Sequence, residues 1–181
     1  AVDPKLRDFF TFRTPQPSYF IGPTKPDMWA WLEVYPQHVF KNARGEKEQM
    51  AVGVAQNAAD GHATAFSEPG TFGRSHHGGK TDARPNAVAY GLNFAEQFDH
   101  AIKQDPQFIF VTGWNEWLVG RLPAFLDYAK GNVFVDTFDQ EHSRDIEPMK
   151  GGHGDAYYYQ LVDYVRRFKG ARAPAKASPP K

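Results

Sequence analysis

The chain has 181 residues, 41% hydrophobic and 23% charged, enough apolar material for one packed domain and too much for wholesale disorder. Lys+Arg and Asp+Glu are both 21, so the zero net charge argues against nucleic acid as the main partner, which normally meets a basic excess. With no cysteine, disulfides, thiolate catalysis and cysteine-held metals are excluded, and no apolar run approaches the ~20 residues of a membrane span.

In chain order, the start Ala1-Val2-Asp3-Pro4 lacks Met, as after processing or truncation, and carries no signal peptide. Residues 9–12, aromatic and β-branched, read as a strand. Residues 14–27 hold Pro15, Pro17, Gly22, Pro23 and Pro26 and read as a loop. A second strand is expected over 28–35, a polar connection over 41–49, and a third strand of small residues over 50–56. Residues 57–85 form a long Gly-rich loop, of the kind that usually carries function. Residues 86–104 repeat apolar side chains at three and four (Val88, Leu92, Ala95, Phe98, Ala101, Ile102), a helix face ended by Asp105-Pro106. A fourth strand over 108–112 runs into Gly113-Trp114-Asn115-Glu116-Trp117. A strand candidate covers 132–138. A last helix covers 157–168, with Tyr158, Leu161, Val162, Val165 and Phe168 on one face and Gly170 as its stop. Residues 171–181, with Pro174, Pro179 and Pro180, read as a tail or interdomain linker.

Strands separated by helices and long loops point to an α/β fold with a parallel sheet. Polar chemistry just after the second and fourth strands fits active sites at the carboxyl ends of strands. A full (β/α)8 TIM barrel needs ~250 residues. Residues 1–170 are therefore expected to be its C-terminal half, with long βα loops, the N-terminal half being the natural partner. A small open α/β sheet is the alternative.

All four tryptophans fall in two pairs, each beside a glutamate. In an extended strand Trp29, Trp31 and Glu33 share a face, as do Thr112, Trp114 and Glu116. Aromatic platforms leading to a carboxylate suit sugars, which present apolar C–H faces and many hydroxyls. Asn115 adds donors and an acceptor, and a Glu116 closed off from water would titrate in the range of a general acid or base. Hydrolysis of a glycosidic bond usually takes two carboxylates, ~5 Å apart for retention or ~6.5–9.5 Å for inversion. The candidates for the second are Glu33 and the acidic run 136–147, led by Asp139. That run has five carboxylates in 12 residues, together with His142 and Arg144. It also suits Ca²⁺, but lacks the glycine spacing of an EF-hand, so no cofactor is required and no metal ligands are assigned. Substrate contacts are expected from Trp29, Trp31, Trp114, Asn115, Trp117, His38, Glu141 and Glu147, and from Arg74, His76 and His77 of the Gly-rich loop.

Gly113-Trp114-Asn115-Glu116-Trp117 after an apolar strand, then Asp145-Ile146-Glu147-Pro148 and Tyr157-Tyr158-Tyr159-Gln160-Leu161, resembles the strand end, Glu-Pro turn and Tyr-rich last helix of (β/α)8 glycoside hydrolases of the family 71 and family 99 group. The resemblance covers residues 86–168, and the first 85 only by layout. It implies strands five to eight of the barrel, polysaccharide or glycan hydrolysis, and an extracellular or periplasmic setting. Two departures stand out. Val119 occupies the place of the family's second glutamate, and an extra stretch separates Gly120 from Ile146, so only Glu116 carries over. A barrel that binds glycans without cleaving them is the alternative. A metal-dependent hydrolase would need three converging His, Asp or Glu ligands.

Overall fold

A computed structural model describes residues 3–117, 120–126 and 129–170, so Val119 and the tail 171–181 lie outside the described residues. In chain order the elements are α1 (Pro4–Phe9), β1 (Thr14–Pro15), β2 (Met28–Trp29), β3 (Phe40–Lys41), β4 (Lys47–Val52), β5 (Ala58–Ala59), β6 (His62–Ala63), β7 (His76–His77), β8 (Lys80–Thr81), a 3₁₀ turn (Ala87–Ala89), α2 (Leu92–Gln104), β9 (Phe108–Val111), β10 (Arg121–Phe125), β11 (Ala129–Phe134) and α3 (Ala156–Phe168).

This is a small mixed α/β domain, and the half-barrel expectation is overturned. Among the described residues the sheets have two or three strands each, and only one β–α–β crossover joins parallel neighbours within a three-stranded sheet. That crossover runs from β4 through α2 to β9, which pair in register from Gln49–Phe108 to Val52–Val111. On its other side β4 pairs antiparallel with β3, across a turn in which the Asn42 side chain accepts the amides of Arg44 and Glu46. The first expected strand does not form: α1 runs through Phe9, and residues 10–12 have no ladder partner among the described residues. Asp3 caps α1 through the Lys5 amide, and Pro4 sits in the first turn, where a missing N–H is harmless. Phe9, Phe10 and Phe12 stay exposed. The second shortens to Met28–Trp29, beside Thr14–Pro15, because prolines on the facing segment leave few ladder donors. The long loop 57–85 folds into two tight hairpins. Asp60-Gly61 and Gly78-Gly79 turn them, with both residues of each pair at positive φ, as a type I′ turn demands. The 132–138 candidate is real but shifted, as β11 paired antiparallel with β10.

The core lies between β4, β9 and the two long helices. Met50, Val52, Val54, Phe94, Phe98, Ala101, Ile146, Tyr157 and Tyr164 are buried together, with Ile109, Val111 and Leu161 against them. Phe98 stacks on Tyr164 at 4.5 Å and meets Phe94 edge-on at 4.9 Å. In α3 the buried stripe is turned from the expected one. Tyr157 and Tyr164 go inward because their hydroxyls reach the carbonyls of Val88 and Ala95, while Tyr158 is 42% and Val165 40% exposed. Two glutamines replace ladder bonds. Gln97 exchanges hydrogen bonds with both backbone groups of Gly53, tying the end of β4 to α2. Gln49 does the same with Ala30, holding the Trp29–Trp31 segment to the sheet.

Candidate active site around Glu116

Beyond β9 the chain enters 113–117 through Gly113 at φ +91°, where a Cβ would strike the backbone carbonyl of Arg144. Residues 144–147 run alongside as a strap. The Ile146 amide donates to the carbonyls of Gly113 and Trp114 (3.1 and 3.2 Å), and the Glu147 amide donates to Trp114 (2.9 Å). Asp145 Oδ1 accepts the Glu116 amide. The Thr137 hydroxyl stands 3.2 Å from Asp145 Oδ2 and 3.3 Å from the Glu116 carbonyl. The backbone of Glu116 is thus fully engaged while its side chain is left half-buried, with Oε2 buried and without a hydrogen-bond partner. These residues lie past the end of β9, so strand alternation does not order Trp114 and Glu116.

Two buried arginines support the strap. Arg144 is 1% exposed. It forms an ion pair with Asp136, donates to Asn57 Oδ1 (3.0 Å), and lies 5.2 Å beneath the Trp31 ring. Arg74, 0% exposed, donates to Ser143 Oγ (2.8 Å) and the Asp145 carbonyl (2.6 Å) and lies over the Tyr157 ring at 4.5 Å. Burial pulls both guanidinium groups below their ordinary pKa. Burial also pushes the Asp145 carboxyl up, against the hydrogen bonds from Glu116 and Thr137. Tyr19 is pushed up first by burial, with Arg144 opposing and Glu116 adding to it, so its phenol shares a field with both. It tilts against Trp31 at 6.4 Å.

Around this centre Trp114 is 45% exposed and meets Tyr158 edge-on at 6.3 Å. Trp117 stacks on His153 and donates its indole N–H to Glu147 Oε2 (2.7 Å). Asn115 is exposed. Trp31 is 41% exposed and lines a groove with Trp29 and Phe110. Trp29 is anchored by Glu48, a buried carboxylate that sequence reasoning missed, which accepts its indole N–H (2.7 Å) and two bonds from Arg13.

The remaining expected residues are placed elsewhere. Glu33 does not join the face of Trp29 and Trp31. It is 0% exposed, and its Oε2 accepts from the His38 amide (3.1 Å) and meets Nδ1 of the half-exposed His38 ring at 2.5 Å. Burial raises the Glu33 carboxyl and His38 opposes the shift. Asp139 closes a surface turn on His142. Glu141 ties the acidic run to the Gly-rich loop by accepting the Ser75 amide and hydroxyl. His76 stacks flat on Phe72, and His77 faces Asp82 at 3.8 Å in the β7–β8 hairpin. Of the acidic run, Asp145 is brought to Glu116, while Asp136 pairs with Arg144. The Ile-Glu-Pro turn carried a signal for Asp145, whereas nothing in the proline-rich segment marked Tyr19.

Among the described residues no group of three or more His, Asp or Glu is placed to hold a metal ion, and no helix is long and apolar enough to cross a membrane. Comparison of the chain with family models, curated proteins and solved structures finds no match.

Proposed function

We propose that this chain hydrolyses glycosidic bonds in a polysaccharide or glycan, with Glu116 as the reacting carboxylate. The observation that carries the reading is the Glu116 side chain, whose Oε2 is buried and unbonded beside a buried arginine and a phenol, while its backbone is held rigidly by Asp145. Exposed rings at Trp31 and Trp114 supply faces on which a pyranose can stack. Asp136, the carboxylate paired with Arg144, is buried and engaged, so it holds the guanidinium and is not free to take a proton. Glu116 gives its proton to the glycosidic oxygen as the C–O bond breaks. Water attacks the anomeric carbon and its proton leaves to solvent, from which Glu116 regains one, so the sum is hydrolysis. Asp145 is a positioning residue, since it is fully buried with both oxygens engaged.

That engagement favours a second reading, glycan binding without cleavage, in which the acidic residues serve only to shape the surface. Screening oligosaccharides and polysaccharides for turnover and for binding separates the two. On the hydrolytic reading, Glu116→Gln lowers turnover on the order of 10²–10⁴ with binding kept. Unchanged turnover in that variant sinks the assignment. Binding without turnover in the unmodified chain selects the second reading.

A further inference from the structure

Between α2 and the β7–β8 hairpin lies a cavity of about 170 Å³, lined by Tyr35, Gln56, Phe72, His76, Gly79 and Glu96. At ~30 Å³ per water it has room for roughly five or six non-hydrogen atoms. Its walls are fixed. The Gln56 amide donates to the Phe72 carbonyl (2.9 Å), Phe72 and His76 stack with ring centres 4.0 Å apart, and His100 backs the Tyr35 ring edge-on at 5.7 Å. Three oxygens of the lining are left over. Glu96 Oε1 accepts the Gly78 amide (2.9 Å), and no described group donates to its Oε2. Gln56 is 2% exposed. Its Nε2 donates to the Glu33 carbonyl (3.3 Å), and its Oε1 accepts from no described group. The Tyr35 hydroxyl has no described partner either. No Lys or Arg lines the cavity, and Lys80 of the same hairpin lines a neighbouring one with His77 and Asp82. Burial holds the His76 imidazole below its ordinary value, so that ring is uncharged at neutral pH and the cavity carries the charge of Glu96.

We infer that this cavity binds the primary ammonium group of a small amine. Such a group has three N–H donors and no acceptor, and the lining offers it three unmet oxygens, one of them charged. The Tyr35 and Phe72 rings border the rest of the space, where they cover an alkyl stem and attract the cation. A quaternary ammonium fits less well, because it has no N–H and leaves the buried Gln56 oxygen unmet. A neutral alcohol of the same length brings one donor and no charge. The cavity shares no residue with the Glu116 site, so amine binding stands whether or not the chain cleaves a glycan.

The test titrates the whole chain at neutral pH with n-butylamine, followed by NMR and calorimetry, with n-butanol and tetramethylammonium as controls at matched ionic strength. Butylamine is expected to saturate with a dissociation constant on the order of 1 mM and to move the resonances of the Gln56 side-chain amide and the Gly78 and Gly79 amides. Both controls should bind about tenfold more weakly or worse. Glu96→Gln keeps an oxygen for the Gly78 amide but loses the charge, and should weaken butylamine about tenfold or more with the far-UV circular dichroism unchanged. Tyr35→Phe keeps the ring and should weaken it severalfold. No saturable shift at these amides, equal binding of butanol, or butylamine binding indifferent to Glu96→Gln overturns the inference. So does tighter binding of tetramethylammonium, because the rings and not the oxygens would then select the ligand. Tighter binding of a doubly capped lysine overturns the small amine as occupant, because a lysine of another protein would then fill the cavity.

Discussion

The segments 29–33 and 113–117 are built from the same parts, two indoles and a glutamate at the end of a strand, and the fold uses them differently. At Glu33 the neighbours take the carboxylate. The His38 ring and amide close on one oxygen, and the side chain is sealed from solvent. At Glu116 the neighbours take the backbone. Asp145 accepts the amide, Thr137 stands at the carbonyl, and one carboxylate oxygen is left without a partner. Each carboxylate keeps one buried oxygen without a partner, Oε1 of Glu33 and Oε2 of Glu116, so the difference lies in access: Glu33 is sealed and its other oxygen is bonded to His38, whereas Glu116 is half-buried and can meet a ligand. An indole beside a glutamate does not tell the two apart.

Substitution can break that contrast, and the largest effect is expected at Glu116. On the hydrolytic reading, Glu116→Gln costs on the order of 10²–10⁴ in turnover and Glu33→Gln leaves the rate within about twofold. Steady-state kinetics on one substrate decides it, and equal losses would erase the distinction. Next is Arg144→Met, which leaves Asp136 buried without its cation. Urea unfolding should show a loss of about 3–5 kcal/mol, part of which returns in the double variant with Asp136→Asn. A smaller effect is expected beneath Trp117. Burial, with Arg74 adding to it, holds the His153 imidazole down to about 4. The unfolded chain takes up that proton near the ordinary value of about 6.5, so stability is lost as pH falls from there toward 4. Between pH 7 and pH 5 the loss is on the order of 2 kcal/mol, and His153→Gln should flatten it in urea midpoints. Last comes the stability of Glu33→Gln, which should change by less than about 1 kcal/mol at neutral pH. Glu33 is raised by burial, so the folded state holds its proton longer than the unfolded one. It therefore lowers stability as pH rises from the ordinary carboxylate range through the raised value, and the variant should lose that slope.

Periodicity made part of this legible. The 3.6-residue repeat located α2 and α3, and two apolar runs located the parallel pair β4 and β9. Barrel strands were misread because an apolar run does not reveal whether a partner exists. Residues 9–12 look like a strand and end exposed, and in 28–35 two residues pair. The hairpins within 57–85 did have a signal, since Asp60-Gly61 and Gly78-Gly79 are the turn residues that two-residue loops require. At the site, Glu116 was legible from its tryptophans. Arg144 was visible only as a member of an acidic run and Asp145 only as the residue before the Ile-Glu-Pro turn, because their roles depend on a strap between segments that local patterning cannot pair. Tyr157 and Tyr164 turned inward for a similar reason, reaching carbonyls of the 3₁₀ turn and of α2.

The strap has a consequence for chain connectivity. Residues 113–117 and 144–147 are fastened backbone to backbone, so the β10–β11 hairpin between them is a detour this clasp does not depend on, whereas Asp136 and Thr137 beyond it belong to the clasp. The two segments behave as a rivet. A nick at Leu126 would leave both fragments clasped across it. A foreign domain spliced into the hairpin tip would hang from the molecule without pulling on the glutamate.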